Sequence, residues 1–180
     1  MDSGYFYNRN PLLIMSYISK FKGQRTEVTA SKISKQLGLS IGSVYSILKE
    51  FNDAGLVRGI RIGRATIYEP IISNPLLKQF RIFDNLLFLS NLATQLKCFS
   101  RKIILFGSCA QGDDSIESDI DLFLLVDEDL QPNVREIISN YLSEREIKPV
   151  IVDSVELLEM QSNDRIFYEE IQKGIVLWGE

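Results

Sequence analysis

The chain has 180 residues, 45% hydrophobic and 24% charged, with a formal net charge of −4 and a mean hydropathy of +0.01. Such a composition excludes a disordered or fibrous chain and suffices for one full domain or two small ones. Two cysteines, Cys98 and Cys109, and no histidine occur, which removes zinc fingers, Cys/His metal clusters, Ser/His/Asp triads and histidine acid–base chemistry together.

Any catalysis must therefore rest on carboxylates, cations, hydroxyls or metal. Apolar runs such as Ile103 to Phe106 fall far short of the roughly 18–20 residues that cross a bilayer, so no membrane is expected as a partner. Asp2 stands where a secretory signal carries basic residues, and Pro11 to Met15 is too short an apolar block; the expectation is a cytoplasmic protein. Charge is divided unevenly. Residues 1–75 carry ten Lys/Arg against five Asp/Glu, a net of +5, whereas residues 76–180 carry ten against nineteen, a net of −9. A basic half can approach a polyanion through counterion release. An acidic half must recruit cations if it handles nucleotides.

From Pro11, Leu13, Ile14, Tyr17, Ile18 and Phe21 recur at three- and four-residue spacing and predict a first helix with one buried face. A loop is expected at Lys22 to Glu27. Thr29 or Ser31 can cap a short second helix that buries Ile33 and Leu37 and ends at Gly38. Ser40 then caps a third helix, with Ile41, Val44, Leu48 and Phe51 as one inward stripe and Gly55 as its stop. Ser43, Ser46 and Lys49 lie opposite that stripe. Two helices joined by a short Gly-containing turn form a helix-turn-helix, whose second helix presents its N-terminal end, here Ser40 to Ser46, to the major groove.

The run Leu56 to Tyr68 is two β-branched stretches around a Gly-containing turn, a hairpin pattern. Arg58, Arg61 and Arg64 fall on or beside its tip, suited to phosphate or a minor groove. Val28 to Tyr68, in the order "VTASKISKQLGLSIGSVYSILKEFNDAGLV" and then this wing, resembles the winged helix-turn-helix domain of transcription regulators of the MarR and ArsR type. The resemblance implies double-stranded DNA as partner; a winged helix used only for protein contacts is the plainer alternative.

Asn74 and Pro75 are an N-cap and a first-turn proline, and no glycine or proline follows until past Phe99. One long helix is expected. Its apolar residues, from Leu76 and Phe83 to Leu92 and Leu96, cover more than one face. Part is expected on the C-terminal domain and part in a homodimer contact suited to paired half-sites; a helix wedged between the chain's own two domains is the alternative.

Ile103 to Phe106 reads as a central strand ending at Gly107-Ser108. Glycine there lets a phosphate approach the backbone, and a serine opening a helical turn offers hydroxyl and N–H groups. Eleven residues on, Ser118-Asp119-Ile120-Asp121-Leu122 opens a second buried strand. Side chains alternate, so Asp119 and Asp121 share a face about 7 Å apart at Cα, with Ile120 and Leu122 turned inward. Adjacent carboxylates repel, and a divalent ion relieves the repulsion; Mg²⁺ suits such oxygens when phosphates and water complete its shell. A structural role, capping a helix or pairing with Lys102 or Arg101, is the alternative.

The run "LFGSCAQGDDSIESDIDLFLLV" is similar to the signature of the DNA polymerase β-type nucleotidyltransferase superfamily, in particular the minimal nucleotidyltransferases typified by the MNT antitoxins. Ala110, Gly112 and Ser118 fall where that family favours them, and "KGIVLWG" resembles its C-terminus. The resemblance implies an α/β (α+β) fold, with a small mixed sheet flanked by helices over residues 100–180, after a winged helix over 1–73 and a linker helix over 74–99. It also implies transfer of a nucleoside monophosphate from an NTP, usually ATP, to a hydroxyl. Gly107 and Ser108 would hold the β- and γ-phosphates, and Asp119 and Asp121 would be the catalytic acids that bind Mg²⁺ or Mn²⁺.

Two positions depart from that pattern. Gln111 stands where members carry a basic residue. The third acid, expected on the strand Ile147 to Val152, aligns with Val150, and Asp153, three residues further, points to the other side unless the strand bulges at Pro149. Three readings follow from the sequence: a DNA-binding regulator that binds Mg-nucleotide with or without transfer, an active nucleotidyltransferase docked by its winged helix onto a protein, RNA or small-molecule substrate, and a non-catalytic scaffold.

Overall fold

The computed structural model describes residues 8–21 and 28–179. The loop expected at Lys22 to Glu27 lies outside them. The chain forms two compact units, residues 1–81 and 82–180. No helix among the described residues is long and apolar enough to cross a membrane.

In the first unit, helices α1 (Arg9–Ser19), α2 (Ala30–Leu37) and α3 (Ile41–Asp53) precede a hairpin of β1 (Val57–Ile62) and β2 (Ala65–Pro70). Local chemistry sets each boundary. Thr29 Oγ1 accepts from the Lys32 N–H and caps α2, Ser40 Oγ accepts from the Ser43 N–H and caps α3, and Gly38 closes α2 at φ 66°, where a Cβ would be strained. Ile14, Ile18, Ile33, Val44, Leu48 and Phe51 make the shared core. Ile41 differs from the expected stripe: it is 55% exposed, while Ile47 is buried in its stead. The first turn of α3 borders an open groove with the start of α2 and the hairpin, and the helix's buried face begins at Val44.

Helix α4 (Pro75–Leu96) is capped by Asn74, whose Oδ1 accepts from the Leu76 N–H. Its first turns belong to the first unit, with Leu77 in that core, and Leu89, Leu92 and Leu96 belong to the core of the second. Leu76, Phe83, Leu87 and Phe88 remain exposed.

The second unit is built on β3 (Lys102–Phe106), the short helix α5 (Gly107–Gln111), β4 (Ile120–Leu125), α6 (Gln131–Asn140), β5 (Ile147–Val152), α7 (Ser154–Asn163), α8 (Arg165–Gln172) and β6 (Ile175–Trp178). The sheet runs β5-β4-β3-β6, with β4 parallel to β5 and the other pairs antiparallel, so it is mixed. Strand alternation splits it into two faces. Leu105, Ile120, Leu122 and Leu124 pack with α4 and α6, whereas Ile104, Phe106, Phe123 and Val152 pack with α7 and α8. Ile103 to Leu105 and Leu122 to Leu124 are buried, as expected of central strands covered on both sides.

Candidate functional site

The β3–α5 junction and the start of β4 meet because the two strands are antiparallel neighbours. Phe106 is the register partner of Asp121, so the next residue, Gly107, lies beside the Asp121 carboxylate. Gly107 has φ 66°, and a Cβ placed there would come within 2.5 Å of Asp121 Oδ2. The glycine thus satisfies both a left-handed turn and a close approach. Ser108 follows it in α5. Ile120 and Leu122 face the core as expected, and Asp119 and Asp121 occupy alternate positions on the opposite face.

Asp121 is half-buried, and its carboxyl is held above the ordinary carboxylate range. Burial is the main cause and the neighbouring Asp119 charge the second, partly offset by Lys148 and Arg145. Asp119 Oδ2 receives Lys148 Nζ at 2.5 Å, and that contact raises the lysine's pKa. The two-carboxylate set fits a divalent ion that draws its remaining oxygens from phosphate and water. Among the described residues no group of three or more carboxylate, thiol or imidazole side chains is gathered for a metal.

The residue beside the acid pair on β5 is Lys148, the register partner of Asp121. Val150 pairs with Phe123 one step further along the same face and packs into the apolar cluster with Phe106 and Phe167. Asp153 caps α7, its Oδ1 accepting from the Val155 and Glu156 N–H groups at 2.8 Å. Arg101, one candidate partner for the acids, pairs instead with Asp127. Gln111 donates to Glu170 Oε1.

Arg145 was not singled out by spacing. Its guanidinium donates to the carbonyls of Ser118 and Asp119, to Asn85 Oδ1 and to Asp114 Oδ2, and contacts Cys109 Sγ. Cys109 donates in turn to the Asp119 carbonyl, and burial pushes its thiol up to about 11. This buried bracket fixes the backbone that delivers Asp119. No local motif marks it, because its members come from four separate segments.

On the first unit the hairpin turns at Gly63-Arg64, and Arg58, Arg61 and Arg64 are all exposed. They do not form one group. Arg61 and Arg64 line a groove of about 680 Å³ with Thr66 and, from the start of α3, Ile41, Gly42 and Tyr45. Arg58 faces Glu69 on the other side of the hairpin. Ser43 and Ser46 border a separate hollow with Asn8, Arg9 and Ile47, Ser40 is engaged as a cap, and Lys49 is exposed. Tyr45 and Ile41, 58% and 55% exposed, are large side chains at the start of α3 that the spacing did not single out as outward-facing. Their signal was available in Tyr45, an aromatic off the apolar stripe.

Comparison with known proteins bears on both units. No curated protein and no solved structure matches the chain. Residues 95–180 match the family model described as Polymerase beta, Nucleotidyltransferase, and residues 24–73 match that described as Sugar-specific transcriptional regulator TrmB. The chain thus joins a winged-helix domain of the TrmB transcription-regulator type to a nucleotidyltransferase domain of the polymerase β type.

Proposed function

We propose that this protein is a cytoplasmic, DNA-binding transcription regulator whose C-terminal domain binds a nucleoside triphosphate, ATP as the first candidate, together with Mg²⁺ or Mn²⁺. The observation that carries the reading is the close approach of the Asp121 carboxylate to Gly107. It sets an acid pair against the turn where a phosphate has backbone access. Gly107 and Ser108 hold the β- and γ-phosphates, and Asp119 and Asp121 hold the metal. When bound, the ion neutralises phosphate charge and aligns the triphosphate. Arg61 and Arg64, with Tyr45 and Ile41, supply the DNA-facing surface. The exposed Leu76, Phe83, Leu87 and Phe88 on α4 support association of two chains, which would match paired half-sites.

The decisive experiment is thermal unfolding with ATP and Mg²⁺ together. The melting temperature rises for the wild type and the rise disappears in Asp119→Asn with Asp121→Asn; an unchanged wild-type curve at millimolar ligand overturns the reading.

Nucleotide transfer is the second reading, favoured by the acid pair itself. Against efficient transfer stand an ammonium at the register position of Asp121 and an apolar side chain at Val150, which leave the attacking hydroxyl without a base. Incubation with α-labelled ATP and a lysate is expected to give little labelled product with the wild type and more with Val150→Asp.

A further inference from the structure

We propose that Lys148 is a phosphate-binding cation which Asp119 holds in front of the acid pair until a divalent ion and a triphosphate arrive together. The inference rests on the nucleotide reading above and goes beyond it by assigning the site's missing positive charge.

Register places Lys148 beside Asp121, and its ammonium rests on Asp119. Its side chain is 53% exposed, so the four-carbon stem is free to swing. Three other side chains that could offer N–H groups or positive charge already have partners. Arg145 is spent on backbone carbonyls and on Asp114, Gln111 is neutral and tied to Glu170, and Lys173 also lies on Glu170. A triphosphate carries more negative charge than one divalent ion cancels, so a further cation is needed.

Ammonium and metal compete for the same Asp119 carboxylate. Once the ion takes Asp119, the ammonium is released within its own stem length of the phosphates that the ion brings, and an ammonium is a good point-charge partner for phosphate. Lys148 therefore opposes metal that comes alone and assists metal that comes with triphosphate. A merely structural ion pair has no such double sign.

The test uses the full chain as wild type, Lys148→Met and Lys148→Arg, with Mn²⁺ alone followed by electron paramagnetic resonance of the free ion, and ATP with Mg²⁺ followed by calorimetry. Lys148→Met is expected to bind Mn²⁺ several-fold more tightly and Mg-ATP about tenfold more weakly. Lys148→Arg, which keeps the charge, stays near wild type in both. Wild type that binds Mg-ATP while Lys148→Met shifts both affinities in one direction, or neither, overturns the role of Lys148 alone. Wild type that binds no Mg-ATP overturns this proposal and the nucleotide reading together.

Discussion

Arg145 Nη1 donates to Asp114 Oδ2 across 3.0 Å, and the two side chains keep only 16% and 9% of their surface exposed. The pair lies beneath the loop that leads into Asp119, and the same guanidinium donates to the Ser118 and Asp119 carbonyls. Removing one member of a buried pair withdraws charge compensation from the other and costs up to about 3–5 kcal/mol. Arg145→Met is expected to lower stability by that amount in urea unfolding. The double replacement with Asp114→Leu is expected to recover part of the loss, since two apolar groups leave no charge behind.

Gly107 stands at the closest approach in the site. Gly107→Ala would put a Cβ within 2.5 Å of Asp121 Oδ2 at a φ of 66°. Strain at a left-handed position destabilises by more than about 1 kcal/mol, and relief requires the Asp121 side chain to turn away. Thermal unfolding is expected to show the stability loss, and a nucleotide titration an accompanying loss of binding. Retention of full affinity would mean that the corner does not carry phosphate.

The raised pKa of Asp121 gives a pH signature. A carboxyl whose folded value lies above its ordinary 3.8 favours the fold in its protonated form, so its contribution is fully present below 3.8 and is lost as pH rises through the folded value. At neutral pH the ionised group therefore strains the fold. Asp121→Asn is expected to be more stable than wild type at pH 7 and to flatten the stability curve just above pH 3.8, which unfolding measured across pH checks. Divalent ion affinity in the wild type should fall, on acidification, at a higher pH than for an ordinary aspartate.

DNA affinity offers a test that separates the three arginines. Arg61 and Arg64 share a groove with Tyr45 and Ile41 at the start of α3, whereas Arg58 faces Glu69 across the hairpin. Replacing Arg61 and Arg64 by alanine is expected to make the dependence of log affinity on log salt shallower by about 2, one phosphate contact each. Arg58→Ala should leave that slope nearly unchanged. Tyr45→Ala should weaken binding without altering the salt dependence, since it removes an uncharged contact. Fluorescence anisotropy over a salt series measures all four.

Much of this arrangement was legible in the chain. The caps Thr29 and Ser40, the left-handed Gly38, the hairpin turn and the two apolar strands are local chemistry, and each acts where its residue stands. The alternation that sends Ile120 inward also sends Asp121 outward, so the acid pair needed no tertiary information. The neighbour across the ladder did. Lys148 meets Asp121 only because β5 runs parallel to β4 in one particular register, which nothing within β5 announces. Arg145 is opaque for the same reason, since Asn85, Cys109, Asp114 and Ser118 come together only in the fold. Ile41 was misread because helical periodicity says which residues share a stripe, not how far a packed body extends along it.

The two thiols form a ready-made clock for the opening of the site. Cys98 is exposed, whereas Cys109 is buried beneath Asp119, and that burial pushes its thiol up to about 11. A thiol reagent at neutral pH will therefore mark Cys98 at once and Cys109 only when the loop above it lifts. The lag between the first and second label reads how often the acid-bearing corner comes apart, and anything that clamps that corner shut will lengthen it.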